Sequence, residues 1–289
     1  MESCEAIEHT LRLYVDSAAT AIPQIMRALS GKGIEPAAMK HVRETWLIFQ
    51  YEVALLVRNP ATVAITLIQP ITYLLLFTPF LKAVMHVSTY SNAFQIYVPS
   101  LFAAMGVFNG MFAGFTLLAA VRQGVVTRQR VTPVSRVSLL LGRVLMHILL
   151  IVFQAVVVTV AAVVFGLRVQ PANFLIALVL LSLMSVLSVS IGYDLVLLVP
   201  NENSLGTLIN SISQPISLLA GVLIPLSVAP QWVRDVADWN PFAWWTNGMR
   251  AIFQGHIGAN VVWQASLIMG VVALVTLVLS SRLFSREIA

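Results

Sequence analysis

Long apolar stretches separated by short charged segments dominate the chain. A charged side chain at the centre of a bilayer costs about 2.5–3.5 kcal/mol, so charge-free stretches of about 20 residues predict membrane spans. Backbone groups in lipid must be satisfied within the segment, which makes runs of this length helices. Six such helices are predicted, at Ala61–Leu81, Tyr97–Val121, Val137–Leu167, Phe174–Val199, Ser204–Leu226 and Val261–Ser281. We therefore expect an all-α, polytopic membrane protein.

Composition supports this class of protein. The 289 residues are 58% hydrophobic and only 10% charged, with a mean hydropathy of +0.88, whereas a soluble domain carries about 25% charged residues. The single Cys4 excludes a disulfide framework and a cysteine-based zinc site. The five histidines are scattered along the chain, so neither a metal site nor a catalytic constellation is expected.

Residues 37–57 predict an amphipathic helix that lies in the cytoplasmic membrane interface. Its apolar stripe consists of Val42, Trp46, Phe49, Val53 and Leu56, at helical spacing. An alternative is a soluble helix packed against a partner. The candidate interface residues are Arg43, Glu44, Trp46, Phe49, Glu52 and Arg58. Residues 1–35 are expected to be a cytoplasmic extension, and residues 36–289 the transmembrane domain.

Prolines and charges divide two of the apolar stretches. Asn92 and Pro99 are expected to keep the helix of span two from beginning earlier. After span five, prolines, Arg234 and a cluster of tryptophans predict short re-entrant helices at the outer face. The candidate residues of this outer segment are Pro225, Trp232, Asn240, Pro241 and Arg250.

Positive charge is concentrated on one side of the predicted membrane. With the N-terminus in the cytoplasm, thirteen of the seventeen Lys and Arg residues fall in cytoplasmic segments, as the positive-inside rule requires. The densest segment, residues 122–143, carries five arginines and no acid. Both termini and this loop are therefore predicted to be cytoplasmic. The plainer alternative is that these arginines act as a topology signal alone.

Three stretches, in order along the chain, resemble the type-2 ABC transporter permeases, particularly the daunorubicin-resistance exporters. The first runs from the amphipathic helix through an Arg-Asn-Pro turn into a span containing Pro70. The second is a loop with Gly124 followed by Pro133-Val134-Ser135-Arg136. The third has a Pro-Asn turn, then Pro-x-Trp, Asn-Pro and a closing Arg250. Together they cover about residues 36–250.

The resemblance implies the membrane subunit of an ATP-driven exporter for a hydrophobic or amphipathic substrate such as a drug, lipid or glycoconjugate. The chain has no Gly-x-x-x-x-Gly-Lys-Ser/Thr loop, so the ATPase is expected to be a separate polypeptide. ATP and Mg would bind that partner, and this chain would bind no cofactor. The resemblance further implies a second permease subunit and membrane lipid as partners, and it implies no nucleic acid. It implies a location in the plasma membrane.

The cytoplasmic loop resembles the segment through which these permeases contact their ATPase. The residues so implied are Gly124, Thr127, Arg128, Arg130, Pro133 and Arg136. The family usually has acids before its Gly and before its Pro, where this chain has Arg122-Gln123 and residues 127–130 instead. A salt-bridge scheme taken from the family therefore does not transfer to this loop.

Polar residues within the spans are functional candidates because they are costly in lipid. Gln69, Asn109 and Gln214 would either line a pathway or make interhelical contacts. His147 and Asp194 lie deepest among the ionisable residues, at matching depths if spans three and four are neighbours. The first interpretation is that they form a buried ion pair or hydrogen bond that fixes helix packing. Asp194→Asn would then lower stability, because it removes a charge that is paired. The alternative is a proton-coupled secondary transporter that uses Asp194.

Gly106, Gly110 and Gly114 on span two are spaced four residues apart. This small-residue pattern lets two membrane helices approach closely. Internal packing is favoured over contact between subunits.

Overall fold

The computed structural model describes residues 37–84, 89–122, 135–199, 201–222, 226 and 229–287. Within these residues the chain forms nine helices and no strand, which confirms the predicted all-α class. The helices are α1 (Ala37–Arg58), α2 (Pro60–Val84), α3 (Tyr90–Arg122), α4 (Arg136–Val164), α5 (Pro171–Leu198), α6 (Glu202–Leu219), α7 (Gln231–Ala237), α8 (Pro241–Phe253) and α9 (Asn260–Glu287).

Internal contacts divide the chain into two compact units, residues 1–43 and 44–289. Of the first unit, the structure describes residues 37–43, which form the opening turns of α1. The helix bundle belongs to the second unit. At its centre lies α3, which packs against α2, α4, α5, α6 and α8.

Among the described residues, five helices are long and apolar enough to cross a membrane. They contain the segments Val63–Ala83, Tyr90–Arg122, Val137–Val164, Pro171–Leu198 and Asn260–Leu283, which coincide with predicted spans one to four and six. The predicted span five corresponds to α6, which has 18 residues and a polar face. The number of spans therefore stays a prediction, whereas the polytopic architecture agrees with the sequence.

Two helix boundaries differ from the sequence expectation. Asn92 and Pro99 lie inside α3 and do not delay its start, so that expectation was wrong. Neighbouring helices in a membrane bundle can tolerate a proline that would interrupt an exposed helix, and Pro99 is buried. Helix α6 ends at Leu219, before the predicted Leu226, because Gly221 adopts a positive φ of 71°. Its N–H donates to the Leu218 carbonyl at 3.0 Å, which closes the helix end.

The closest helix–helix contact joins α3 to α5 through glycines. A Cβ added at Gly110 would lie 2.2 Å from the Ser188 Cβ, and one added at Gly114 would lie 2.4 Å from the Gly192 carbonyl oxygen. Only glycine permits backbones to approach this closely. The glycine series therefore serves packing within the chain, as the sequence favoured.

The segment between α6 and α9 folds back into the bundle as short helices, as predicted. Helix α8 packs against α3, α5 and α9. Its Trp245 is fully buried and donates its indole N–H to the Leu180 carbonyl of α5 at 2.8 Å. Helix α7 is short and mostly exposed, with Trp232 and the following Trp239 at the surface.

Candidate functional site

A cavity of about 830 Å³ lies between α2, α3 and α6. Helix α2 contributes Gln69 and Tyr73, helix α3 contributes Asn109, and helix α6 contributes Asn210 and Gln214. The structure therefore brings together the three amides that the sequence proposed for a pathway. They come from three different helices, so their convergence is a property of the fold.

Helix α6 turns a polar face away from the bundle core, and part of this face lines the cavity. Asn203, Thr207, Asn210 and Gln214 are exposed at helical spacing, whereas the residues of the opposite face, Leu205 and Ile209 among them, are buried. A face with this many amides and hydroxyls is costly against lipid hydrocarbon. A polar or water-filled neighbour is the environment that suits it.

Gln69 and Gln214 are exposed within this cavity. Neither forms a hydrogen bond with another of the residues that the structure describes. Asn109 differs, because its Nδ2 donates to Gln154 Oε1 of α4 at 2.8 Å. Asn109 thus combines the two roles that the sequence left open, an interhelical contact and a position in the cavity wall.

Asn210 and Tyr73 are among the cavity residues that the sequence reasoning did not identify. Asn210 lies four residues before Gln214, and this spacing was a signal available in the sequence. Tyr73 offers an aromatic ring, and an aromatic residue in an apolar helix gives no sign of the surface that it faces. Its cavity position follows only from the packing of α2 beside α3 and α6.

His147 and Asp194 lie away from this cavity and do not pair with each other. The His147 ring contacts the Tyr193 ring edge-on, with centroids 6.4 Å apart. Asp194 Oδ2 accepts a hydrogen bond from Ser280 Oγ of α9 at 2.8 Å. Among the described residues Asp194 makes no ion pair. The contact therefore joins α5 to α9, whereas the sequence pointed to α4.

Helix α1 is held against the start of α4 by its acidic residues. Glu52 Oε1 lies 3.2 Å from the Arg143 Nε, and Glu44 Oε2 accepts the Ser135 backbone N–H at 3.0 Å. A carboxylate at this place satisfies a free donor and complements the positive end of the α4 dipole. A Cβ on Gly142 would lie 2.7 Å from Ile48, so the two helices touch along this line.

The other side of α1 carries exposed aromatic and basic side chains. Trp46 is 54% exposed and its ring lies 5.2 Å from that of Phe49, which is half-buried. The side chains of Arg43 and Arg58 are exposed. Burial, and then the adjacent Glu52 carboxylate, raise the pKa of Tyr51. An amphipathic helix with one docked polar face and one exposed aromatic face suits an interfacial position.

Arg250 of α8 lies beside the cavity and contacts α3 and the end of α6. Its Nη2 donates to Ser100 Oγ of α3 at 2.7 Å and to the Gly221 carbonyl at the end of α6 at 2.6 Å. Burial lowers the pKa of Arg250 to about 10. The next residue after Gly221, Val222, lines the cavity. One side chain of α8 thus joins two of the helices that form the cavity.

Asn240 and Pro241 fix the start of α8. Asn240 Oδ1 accepts the Phe242 N–H at 3.0 Å and caps the helix, and its Nδ2 donates to the Ile216 carbonyl of α6 at 3.0 Å. Pro241 occupies the first helical turn, where its missing N–H costs nothing. The Asn-Pro pair therefore orients α8 relative to α6.

Most of the predicted coupling loop lies outside the described residues, and so does one candidate residue of the segment after α6. These residues are Gly124, Thr127, Arg128, Arg130, Pro133 and Pro225. The two ends of the loop are described. Arg122 Nη1 lies 2.8 Å from Glu202 Oε1 at the start of α6, and Arg136 begins α4 after the Ser135 cap. The roles of these residues stay predictions.

Comparison with known proteins gives a family match over most of the chain. A family model described as ABC-2 type transporter matches residues 43–254. The "Putative transport permease ycf38" of Porphyra purpurea is 24% identical over 215 residues, which are 72% of this chain and 71% of that protein. The protein of the same name from Cyanophora paradoxa is 22% identical over 216 residues, 73% and 74% of the two chains. The family match includes the cavity helices and Arg250.

Proposed function

Because the chain belongs to the ABC-2 type transporter family, we propose that it is the membrane-spanning permease subunit of an ATP-driven exporter. Members of this family are transport permeases that work with an ATPase. In this proposal ATP and Mg bind that separate subunit, and this chain binds no cofactor. It forms the pathway for a hydrophobic or amphipathic substrate, such as a drug, lipid or glycoconjugate.

The observation that carries this proposal is the cavity between α2, α3 and α6, whose wall includes amide and hydroxyl side chains. The long helices of the bundle are mostly apolar, and α9 presents Leu267 and Val271 outward, as a lipid-facing helix does. Amides and hydroxyls on the cavity wall provide the lower-cost route through such a bundle for a molecule with polar groups. The volume of about 830 Å³ is within the range of small-molecule sites, about 300–1,000 Å³.

The ATPase contact is assigned to residues 122–143, with the termini and this loop in the cytoplasm. The arginines of the loop would meet an acidic cleft on the ATPase, because complementary charge sets register and association rate. Because its sequence motifs resemble those of the daunorubicin-resistance exporters, we assign the chain to the plasma membrane. A second permease subunit, identical or not, would complete the pathway.

A bulky substitution in the cavity tests the pathway. Gln214→Trp would fill part of the cavity, so ATP-dependent transport by the reconstituted permease–ATPase complex should be lost while ATPase copurification persists. Leu267→Trp is the matched control, because it adds the same side chain to a lipid-facing position that is 69% exposed. Undiminished transport by Gln214→Trp, or transport driven by a proton gradient without ATP, would contradict the proposal.

Charge reversal in the loop tests the ATPase contact separately. Arg128→Glu combined with Arg130→Glu should leave the chain inserted but reduce both the copurified ATPase and ATP-dependent export. If the arginines are only a topology signal, the same change alters insertion, and correctly inserted molecules keep their ATPase. A pull-down of the ATPase with the correctly inserted double variant distinguishes the two.

A further inference from the structure

The chemistry of the cavity wall defines the class of molecule that it can hold. Gln69 on α2 and Gln214 on α6 present side-chain amides to the cavity with no hydrogen bond to another described residue. Each amide offers a carbonyl acceptor and two N–H donors. A hydroxyl group, which both donates and accepts, is the ligand group that uses both halves of an amide.

Flat aromatic surface lies beside these amides. Tyr73 of α2 and Phe112 of α3 line the cavity, and each is 37% exposed. The ring of Phe112 is braced by stacking on Phe115, with centroids 5.6 Å apart, and Tyr73 is braced edge-on by Phe77. Rings held in this way offer rigid faces on which another ring of a ligand can stack.

No charged side chain is among the described residues that line the cavity. Arg250 lies nearby, but its guanidinium is engaged by Ser100 and the Gly221 carbonyl. A ligand cation or anion would therefore lose its hydration without meeting an opposite charge. Such uncompensated burial of a charge costs several kcal/mol, whereas a hydroxyl can be compensated by one amide.

We propose that this cavity selects uncharged, hydroxyl-rich ring compounds, namely small glycosides with an aromatic or other flat apolar part. The amides of Gln69 and Gln214 bind the sugar hydroxyls, and the faces of Tyr73 and Phe112 receive the rings. This substrate class rests on the proposed permease function. It disfavours ligands whose charge would need an oppositely charged side chain in the cavity wall.

A matched series of fluorescent probes tests this selection on the full chain in lipid nanodiscs. The probes are 4-methylumbelliferyl β-D-glucoside, the anionic β-D-glucuronide and the 2-amino-2-deoxyglucoside, the last at a pH where its amine is protonated. Binding is measured by fluorescence anisotropy. We expect the neutral glucoside to bind at least tenfold more tightly than either charged analogue. Equal affinities, or binding of none of the three, would overturn the substrate class.

Two variants and one control assign the selection to the amides. Gln69→Leu with Gln214→Leu should weaken glucoside binding at least tenfold, and Gln214→Glu should improve binding of the cationic probe relative to the glucoside. Gln264→Leu, on the exposed surface of α9, should change neither. An unaltered preference in the cavity variants would contradict the inference. Glucoside binding by a chain that supports no ATP-dependent transport would contradict the permease function and leave the ligand class standing.

Discussion

The contact between α3 and α5 leads to the sharpest prediction about stability. A Cβ at Gly110 would lie 2.2 Å from the Ser188 Cβ and 3.0 Å from the Ser188 backbone carbon. A Cβ at Gly114 would lie 2.4 Å from the Gly192 carbonyl oxygen. In both cases the obstacle is backbone or an atom next to it, so no change of rotamer can relieve the clash. Gly110→Ala and Gly114→Ala must therefore push the helices apart.

The size of the effect follows from these distances. A comfortable contact between carbon atoms is about 3.5–4.0 Å, so the helices would have to separate by more than about 1 Å. A gap of 0.5–1 Å already forfeits about a quarter to a half of the dispersion energy of each contact. Overpacking of a close interior usually costs about 1–3 kcal/mol. We expect about 2–3 kcal/mol for each variant.

Two other glycines provide graded controls. Gly270 in α9 has nothing within 4 Å of an added Cβ, so Gly270→Ala should be neutral or stabilise by up to about 1 kcal/mol. An added Cβ at Gly106 meets only the Met184 side chain, its sulfur at 2.8 Å. A methionine can move, and Gly106→Ala should therefore cost about 1 kcal/mol.

The assay is equilibrium unfolding in mixed detergent micelles, followed by tryptophan fluorescence. From highest to lowest unfolding free energy, we expect Gly270→Ala first and Gly106→Ala second. Gly110→Ala and Gly114→Ala should have the lowest values. If Gly110→Ala and Gly114→Ala unfolded like Gly270→Ala, the close approach of α3 and α5 would be refuted. Loss of subunit association with unchanged unfolding of the single chain would instead assign these glycines to contact between subunits.

Two further contacts make predictions of their own. Arg250→Lys keeps the charge but loses the planar guanidinium that reaches Ser100 and Gly221 together, so it should destabilise by about 1–2 kcal/mol in thermal unfolding. Asp194→Asn keeps a side chain that can hydrogen-bond with Ser280, so it should lower the unfolding free energy less than Ser280→Ala does. Ser280→Ala removes the partner of a carboxyl oxygen of Asp194 and should cost about 1–3 kcal/mol. The reverse order in the same assay would indicate that the Asp194 charge is itself paired.

The sequence predicted the helices better than it predicted their ends. Charge-free runs locate membrane spans because moving a charged side chain into lipid costs free energy whatever the tertiary packing around it. The absence of charges can therefore be recognised from the sequence alone. The boundaries depend on tertiary contacts instead. Pro99 stays within α3 because its neighbours bury it, and α6 stops early because Gly221 adopts a conformation that no hydropathy pattern records.

The candidate site was predicted in part for the same reason. Amides in apolar helices stand out in the sequence, so Gln69, Asn109 and Gln214 were identified before their positions were known. Their shared cavity depends on how α2, α3 and α6 are rotated about their axes, which the sequence alone does not specify. Asp194 likewise drew notice as a buried acid, but its partner Ser280 lies 86 residues away along the chain and a serine gives little signal.

If residues 122–143 contact the ATPase as proposed, the two described ends of this segment provide the connection to the rest of the chain. Where α3 leaves the bundle, Arg122 pairs with Glu202 at the first residue of α6, the helix that carries the polar cavity face. Where α4 begins, Arg143 pairs with Glu52 of α1. At these two ends, arginines of the segment 122–143 thus pair with acids of neighbouring helices. The pair at Arg122 links the end of α3, where the loop begins, to the first residue of the cavity helix α6.

This pair should matter for coupling far more than for stability. Its side chains are 48% and 54% exposed, and an exposed ion pair contributes only about 0.2–1 kcal/mol. Arg122→Glu and Glu202→Arg should each leave the unfolding free energy within about 1 kcal/mol of the parent yet reduce ATP-dependent transport severalfold in the reconstituted complex. The exchanged double variant restores opposite charges and should recover transport. If the transport losses of the two single variants simply add in the double variant, Arg122 and Glu202 act independently. Coupling between the loop and α6 would then have to run through other contacts.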